Sequence, residues 1–411
     1  MRILHWLTLP LAMTLLAPAT PFIATGSGGT LAAQQDSAKK AKPAKAKAPK
    51  DQGGEKKQKK KQDGDDPASP SAVRSRRQVV KDSLEALERP LFASREPLPF
   101  TLTADFRAIS RNRDSTSKVR HAGTLVVKDT AGVDRSIPVE LRTRGHFRLK
   151  SSTCRFVNLL VRFPKEGKLT RGTPFEGQKA LKLGAHCQDD VRYERLLRRE
   201  HLAYRILNVI TPRSFRTRIS NGTYIDSTSG KQVASRLAMW IESEDDVASR
   251  QGARLREFKR ALFADMEPRT LDEMAIFEYL IANTDWSIYA LHNVRIVATD
   301  SGVVYPIPYD FDFSGLVNAP YATPAPQLGI RSVRDRLFRG PCRRWDEMAP
   351  SITRFVQGEG AIMALLDEPP RLEEGEARDV RRYLEDFFRV ARDPADAKQA
   401  FIDRCLDKPG A

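Results

Sequence analysis

The chain has 411 residues and a formal net charge of +17, and 29% of its residues are charged. Beyond the N-terminus no segment reaches the roughly 20 apolar residues that a membrane-spanning helix needs, which excludes a multi-span membrane protein. The positive charge does not indicate nucleic-acid binding, because aromatic residues are not interleaved with the basic ones and an export signal would separate the protein from nucleic acid.

The first 33 residues have the pattern of an export signal. Arg2 precedes an apolar run over residues 7–16, which has the length of a signal-peptide core and is too short to cross a bilayer. Small residues follow at positions 17 and 19 and again at 32 and 33, so two cleavage points are open, and an uncleaved N-terminal anchor is the alternative. We expect an exported protein of the periplasm, the extracellular space or the cell surface.

Residues 34–72 are rich in lysine, alanine and proline. Eleven lysines lie between Lys39 and Lys61 against two acidic residues, so this segment carries about half of the net charge. Such a composition does not bury enough apolar surface to offset the entropy of ordering, which predicts a disordered tether. The tether either attaches the protein to an anionic polymer or membrane surface, or it is a solvated spacer. The remaining residues, 73–411, are enough for one large domain or two lobes.

The four cysteines all fall in this globular part, and an even number in an exported chain predicts two disulfides. Three pairings are possible, and the favoured one joins neighbours in the sequence, so that each bond staples a local region. Its two bonds are Cys154–Cys187 and Cys342–Cys405. The alternative is a metal site that includes His146 and His186, although no C-x-x-C or H-x3-H spacing supports it.

Alternating apolar residues predict a strand-rich first half. A hairpin is expected over residues 121–148, with its turn at Ala131-Gly132, and one helix over residues 193–207 interrupts the strands. Further strands are expected within residues 99–109, 156–163, 179–183, 215–219 and 234–241.

In the second half, apolar residues recur mostly with the period of an α-helix. Helices are expected over residues 271–282, 361–366 and 377–391. A compact hairpin lies among them, with arms at residues 294–298 and 303–307. No internal repeat is visible.

Polar residues cluster in the stretch 279–318. A helix leads to Asp285, Asn293 then opens the compact hairpin, and the far arm ends in a segment that contains Asp310 and Asp312. Because a hairpin brings its two ends together, these four side chains should converge. Carboxylates and an amide suit a hard divalent cation bound to phosphate oxygens, and an aspartate that binds no metal would act as a base for an attacking hydroxyl. The alternative is that each residue only caps a turn or starts a strand.

This stretch resembles the spore coat protein H-like (CotH) group of atypical secreted kinases, and more loosely the general kinase fold. In that group an aspartate on a loop precedes a strand that contains asparagine, and a Trp/Tyr-Asp-x-Asp segment follows a hairpin. The resemblance implies that Asp285 is the catalytic-loop aspartate and that Asn293 and Asp310 hold magnesium. Asp312 would be a second metal ligand. The implied cofactors are Mg²⁺ and ATP.

The first half of the chain fits the same resemblance, which implies the residues that bind the nucleotide. Lys182 lies on an expected strand, where a kinase-like fold places its phosphate-binding lysine, and Glu200 on the following helix would pair with it. Lys179 is an open alternative, because the register of that short strand is unproven. Glu242 follows a strand in a segment that resembles the hinge next to adenine. The Arg-x-Arg-Gly sequence at residues 142–145 resembles an early motif of the family.

The implied fold class is α+β, a two-lobed protein-kinase-like fold. Its strand-rich N-lobe, with one inserted helix, would cover about residues 95–245, and its helical C-lobe about residues 246–411. The leading function is an extracytoplasmic atypical kinase-like phosphotransferase that uses Mg-ATP on a hydroxyl of a protein or cell-envelope polymer. Two alternatives stay open: a catalytically inactive kinase-like envelope protein that binds a partner or an anionic polymer, and a metal-dependent phosphoesterase that uses the same aspartates. The scarcity of ATP outside the cytoplasm favours the first alternative.

Overall fold

The structure is a computed structural model, and it describes residues 73–407. The expected signal peptide and lysine-rich tether lie outside the described residues. Within the described range, no helix is both long enough and apolar enough to cross a membrane.

Seven strands form a closed barrel in the first half of the described chain. Their bounds are β1 Leu98–Ala104, β2 His121–Lys128, β3 Asp134–Arg144, β4 Asn158–Arg162, β5 Ala180–Gly184, β6 Thr217–Asp226 and β7 Gln232–Ile241. Around the barrel they follow the order β1-β2-β3-β4-β5-β7-β6. Neighbouring strands pair antiparallel except β1 and β6, whose parallel pairing from Leu98↔Ser220 to Ala104↔Asp226 closes the barrel.

Alternating side chains fill the barrel interior. In β1, Phe100 and Leu102 are buried, and the ring of Phe100 lies 5.8 Å from Tyr224 and 5.5 Å from Trp240 between centroids. Inward and outward positions alternate along a barrel strand, so the period of two in the sequence becomes an apolar interior. Burying one such side chain contributes about 1.5–3 kcal/mol. The interior is therefore a packed core.

Eight helices and a small sheet complete the described chain. The helices are α1 Arg76–Leu87, α2 Phe106–Arg111, α3 Glu194–Ile210, α4 Glu244–Arg250, α5 Pro268–Leu280, α6 Trp345–Ala364, α7 Glu374–Arg392 and α8 Pro394–Phe401. Short 3₁₀ turns lie at Pro90–Phe92, Phe147–Leu149, Gly167–Leu169, Val191–Tyr193, Phe263–Asp265, Pro326–Leu328 and Leu365–Asp367. The sheet has the order β10-β9-β8 and is built from β8 Ala253–Leu255, β9 Val294–Thr299 and β10 Val304–Pro308.

Helix α5 runs through a second core, outside the barrel. The Glu267 side chain caps its N-terminus by accepting two backbone N–H bonds, which satisfies groups that the first helical turn leaves unpaired. Phe277 of α5 packs against Phe311 with ring centroids 5.2 Å apart, and Tyr204 of α3 lies 4.6 Å from the same ring. Phe311 is fully buried. This packing anchors the segment that follows β10.

Both expected disulfides are confirmed. Cys154 is bonded to Cys187 and Cys342 to Cys405, with Cα–Cα distances of 4.5 and 4.8 Å. The first bond joins the segment before β4 to the segment after β5, and the second joins the segment before α6 to the chain after α8. Since all four sulfurs are bonded, none is available for the alternative metal site.

The expected two-lobed protein-kinase-like fold of class α+β is wrong. The described residues form a closed mixed barrel of seven strands, with eight helices, and not a strand-rich lobe facing a helical lobe. Alternation indicates where strands lie, but it does not indicate which distant strand each one pairs with. The parallel pairing of β1 with β6 joins segments far apart in the sequence and closes the sheet on itself.

Candidate functional site

A cavity of about 450 Å³ lies where the barrel meets the hairpin of β9 and β10. The barrel contributes Lys182 of β5 and the loop after β3. The hairpin contributes Asn293, which immediately precedes β9, and Asp310 and Asp312, which follow β10. Asp285 lies on the loop after α5. Five of the seven expected site residues thus line one cavity.

The backbone at the hairpin ends adopts an uncommon conformation. Leu291, Asn293 and Asp310 have φ angles of 53°, 53° and 68°, in the left-handed region. Asparagine and aspartate enter this region more readily than other residues with side chains, whereas for a bulky leucine it is strained. The backbone N–H of Tyr309 donates to the Asn293 carbonyl at 3.0 Å, which continues the pairing of the two strands. The hairpin therefore holds Asn293 and Asp310 close together at the cavity.

Asp285 is oriented by its two neighbours on the hairpin. The Asn293 side-chain amide donates to Asp285 Oδ2 at 3.1 Å and to the Asp285 carbonyl at 2.8 Å. His292 Nε2 lies 3.0 Å from Asp285 Oδ1, and this hydrogen bond raises the pKa of His292. About 40% of the Asp285 side chain stays exposed. Asp285 is therefore oriented and still accessible, which suits a group that accepts a proton.

Asp310 and Asn293 offer oxygen atoms to a cation. No described residue donates a hydrogen bond to the Asp310 carboxylate, and the Asn293 amide points its N–H groups at Asp285, which leaves its Oδ1 oxygen for another partner. In the part of the chain that the structure describes, no group of three His, Cys, Asp or Glu side chains is placed to hold a metal ion. Mg²⁺ is commonly bound through one or two carboxylates, with substrate phosphates supplying further ligands. Asp310 and Asn293 are therefore residues of the cavity whose side-chain oxygens are open to a cation.

Asp312, the second expected metal ligand, is bonded to other side chains. Arg148 Nε donates to Asp312 Oδ2 at 3.0 Å, and the Tyr321 hydroxyl donates to the same oxygen at 3.0 Å. Arg148 also donates to Glu200 at 3.2 Å, and both carboxylates are buried. Burial raises the pKa of Glu200 to about 7, although Arg148 acts in the opposite direction. Of the two aspartates after β10, Asp310 is thus the one with an uncommitted carboxylate.

Lys182 pairs with Glu244, so the expected pair with Glu200 does not form. Lys182 Nζ lies 2.6 Å from Glu244 Oε1, and Arg295 Nε donates to the same oxygen at 2.8 Å. Both cations lie over the Tyr309 ring, at 4.7 and 4.6 Å from its centroid. Burial lowers the pKa of Lys182 to about 8. Because Lys182 and Arg295 share one carboxylate, these three side chains together keep a net positive charge when the lysine is protonated.

Two expected cofactor-binding residues are not among the described residues that line the cavity. Glu200 is buried and bonded to Arg148, as described above. Glu242 is fully buried and accepts bonds from Arg216 at 2.7 Å and Arg250 at 2.8 Å. The side chain of Lys179, the open alternative to Lys182, is exposed and also does not line the cavity.

Sequence reasoning gave no role in the site to several of its charged residues, although Arg144 belongs to the Arg-x-Arg-Gly sequence at residues 142–145. Arg144 lines the cavity at the end of β3, and no described carboxylate lies within 4 Å of its guanidinium. The available signal was three arginines at positions 142, 144 and 148, around a glycine whose φ is 101°. Glu244 and Arg295 carried no such signal, because they are ordinary charged residues at the start of a helix and on a strand.

No protein-family model matches the chain, and a comparison with curated proteins also finds no match. The CotH resemblance therefore stays an expectation that depends on the motifs quoted above. The assignment of a function depends on the chemistry of the cavity.

Proposed function

We propose that this protein is an exported phosphotransferase, which moves a phosphoryl group from Mg-ATP to a hydroxyl group of a protein or a cell-envelope polymer. The observation that carries the proposal is the division of one cavity into a basic wall and an acidic wall. The basic residues are Arg144, Lys182 and Arg295, and the acidic wall consists of Asp285, Asn293 and Asp310. Phosphoryl transfer needs positive charge for the phosphates, oxygen ligands for a metal ion and a group that orients the acceptor.

The basic wall would hold the phosphates of the donor. Arg144 has no carboxylate partner among the described residues, and Lys182 and Arg295 share a single one. Guanidinium groups bind phosphate oxygens through charge-assisted and often bidentate hydrogen bonds. The cavity volume of about 450 Å³ also lies within the range of about 300–1,000 Å³ that small-molecule pockets occupy.

Asp285 would act on the acceptor. As the acceptor oxygen bonds to the terminal phosphorus, the bond from phosphorus to the diphosphate leaving group breaks, and the hydroxyl proton passes to the Asp285 carboxylate. His292 and Asn293 bond to the two carboxylate oxygens and hold them in orientation. A magnesium ion bound through Asp310 and Asn293 would neutralise charge on the phosphates.

The cell envelope is the setting that the rest of the chain supports. Both disulfides are compatible with an oxidising compartment outside the cytoplasm. The acceptor would then be an envelope protein or polymer, and the lysine-rich segment between Lys39 and Lys61 would bring the enzyme to an anionic surface.

Two measurements on the full chain test the proposal: calorimetric titration with Mg-ATP, and transfer of label from radioactive ATP to the protein itself and to isolated envelope polymers. Asp310→Asn should weaken Mg-ATP binding about tenfold, because a charged metal ligand is lost. Asp285→Asn should keep the binding and reduce transfer by about 100-fold or more. Asp346→Asn is a matched control, because Asp346 is an exposed aspartate paired with Arg344 outside the cavity.

The outcomes separate the two leading functions. Mg-ATP binding that depends on Asp310, with transfer that depends on Asp285, would support the phosphotransferase. Binding with no transfer to any acceptor would favour the catalytically inactive envelope protein. A folded protein that binds no nucleotide with Mg²⁺ would refute the proposal.

A further inference from the structure

A second cavity, of about 500 Å³, is bordered by β6, α3 and the C-terminal end of α6. It shares none of its described lining residues with the candidate functional site. Its most prominent feature is a set of five arginines: Arg95, Arg205, Arg216, Arg218 and Arg250. Glu368 is the single acidic residue among the described residues that line it.

The carboxylates nearby do not balance these arginines. Each of two glutamates bonds to two arginines: Glu368 with Arg95 and Arg205, and Glu242, below the cavity, with Arg216 and Arg250. The fifth arginine, Arg218, has no carboxylate within 4 Å in the described part of the chain. Five arginines therefore face two bonded carboxylates, and the Glu96 carboxylate acts on Arg218 from beyond 4 Å. A cavity with this excess attracts an anion.

Arg218 is the buried arginine of this set, and no described carboxylate is bonded to it. Only 8% of the residue is exposed, and burial lowers its pKa. Its guanidinium donates to the carbonyl oxygens of Leu91 and Glu96, each at 3.0 Å. Neutral carbonyls orient the group without cancelling its charge, and a buried charge is normally paired with an opposite one.

The neighbouring histidine has a neutral ring. His201 is buried beside the arginines, and its Nδ1 lies 2.7 Å from the Thr217 hydroxyl. Burial, together with the smaller effect of the positive charge on Arg205, lowers the pKa of His201 to about 3. Apolar residues also line the cavity, among them Val209, Ala361 and Leu365. The cavity therefore combines basic side chains with an apolar part.

We propose that this cavity binds the phosphate group of a phosphate ester, with the organic part of the ester against the apolar part of the cavity. Tetrahedral phosphate oxygens match the planar donor groups of arginine, which bind them in pairs. Arg205 and Arg218 would contact the phosphate. Glu368 would compete with it for Arg205, because its carboxylate already accepts a bond from that side chain at 2.7 Å. The site is separate from the Mg-ATP cavity and requires no metal ion.

Calorimetric titration of the full chain without magnesium tests this proposal, with inorganic phosphate, glucose 6-phosphate and vesicles of phosphatidic acid as probes at constant ionic strength. A phosphate ester, soluble or on a lipid, should bind more tightly than inorganic phosphate. Arg205→Gln should weaken the binding about tenfold, and Glu368→Gln should strengthen it severalfold, because the competing carboxylate is lost. Arg392→Gln and Glu359→Gln are matched controls, since they alter an exposed ion pair elsewhere.

The gain expected for Glu368→Gln keeps the proposal testable even if the arginine variant folds poorly. The basic side chains of the first cavity would also hold a phosphate, so Lys182→Met separates the two cavities: binding in the second cavity should persist in this variant. The proposal would be overturned if no phosphate ester bound, if Lys182→Met abolished the binding, or if Glu368→Gln and its control Glu359→Gln had the same effect.

Discussion

Replacing Arg148 with methionine should destabilise the protein in a manner that depends on pH. Arg148 donates to Asp312 at 3.0 Å and to Glu200 at 3.2 Å, and its side chain is 10% exposed, whereas those of its partners are 7% and 3% exposed. Methionine keeps the apolar stem of the side chain and removes its charge. Loss of one partner from a buried ion pair typically costs about 3–5 kcal/mol, because the remaining charge is buried without compensation. We expect the free energy of unfolding to fall by about 4 kcal/mol at pH 8.

The pH dependence follows from the pKa values of the two carboxyl groups. Burial already raises the pKa of Glu200 to about 7 and raises that of Asp312, whereas both groups titrate near pH 4 in an unfolded chain. Without Arg148 the folded-state values rise further. A group with a raised folded-state pKa contributes stability that is fully present below its unfolded pKa and is lost as the pH rises through its folded pKa. The loss caused by the substitution should therefore be less than half as large at pH 5 as at pH 8.

Urea unfolding monitored by tryptophan fluorescence, with both disulfides intact, measures these free energies at the two pH values. Arg344→Met is a matched control, because Arg344 forms an exposed pair with Asp346 and should change stability by about 0.5 kcal/mol or less. A loss below about 1 kcal/mol at pH 8, or an equal loss at both pH values, would show that Arg148 does not neutralise a buried pair of carboxylates.

Two further predictions concern residues outside the cavity. Glu242→Gln should lower the free energy of unfolding by about 2–3 kcal/mol, because Glu242 is fully buried and bonded to Arg216 and Arg250. Calorimetry should find the affinity for Mg-ATP unchanged. A loss of affinity in a folded variant would instead support the hinge role that the CotH resemblance implies. Replacing both Cys342 and Cys405 with serine should cost about 4 kcal/mol in urea unfolding, because the bond closes a loop with a sequence separation of 63; a loss below about 1 kcal/mol would contradict this.

Local pairings could be predicted from the sequence because their signals lie within short segments. The hairpin of β2 and β3 was expected from two alternating runs around Gly132, which has a φ of 79° in the structure. The compact hairpin of β9 and β10 was expected in the same way. In each case the turn and both arms fall within about 25 residues, so the alternation and the turn residues agree.

Long-range features were missed for the opposite reason. The pairing of β1 with β6, which closes the barrel, leaves no local pattern in either strand. Helix α6 covers Trp345–Ala364, whereas the sequence predicts a helix only over residues 361–366. Pro350 lies inside this helix. Because proline has no backbone N–H, it removes a helical hydrogen bond, and a sequence pattern with an internal proline does not favour a helix. The stability of helix α6 comes instead from packing, since Ile352 and Phe355 are buried in the second core.

Within the Asp310-Phe311-Asp312 motif of the cavity, too, local sequence shows one part of the site and a distant residue determines the other. Asp310 and Asp312 are equivalent in the sequence, two carboxylates around one aromatic residue, and both were expected to bind metal. Phe311 is buried in the core, so the two aspartates have different surroundings: Asp310 has no described hydrogen-bond donor to its carboxylate, and Asp312 faces Arg148. Arg148 lies in the loop after β3, and no sequence pattern near the aspartates indicates that it contacts them. The charge available to a cation is therefore determined by a distant residue, and Arg148→Met should change it as well as the stability of the fold.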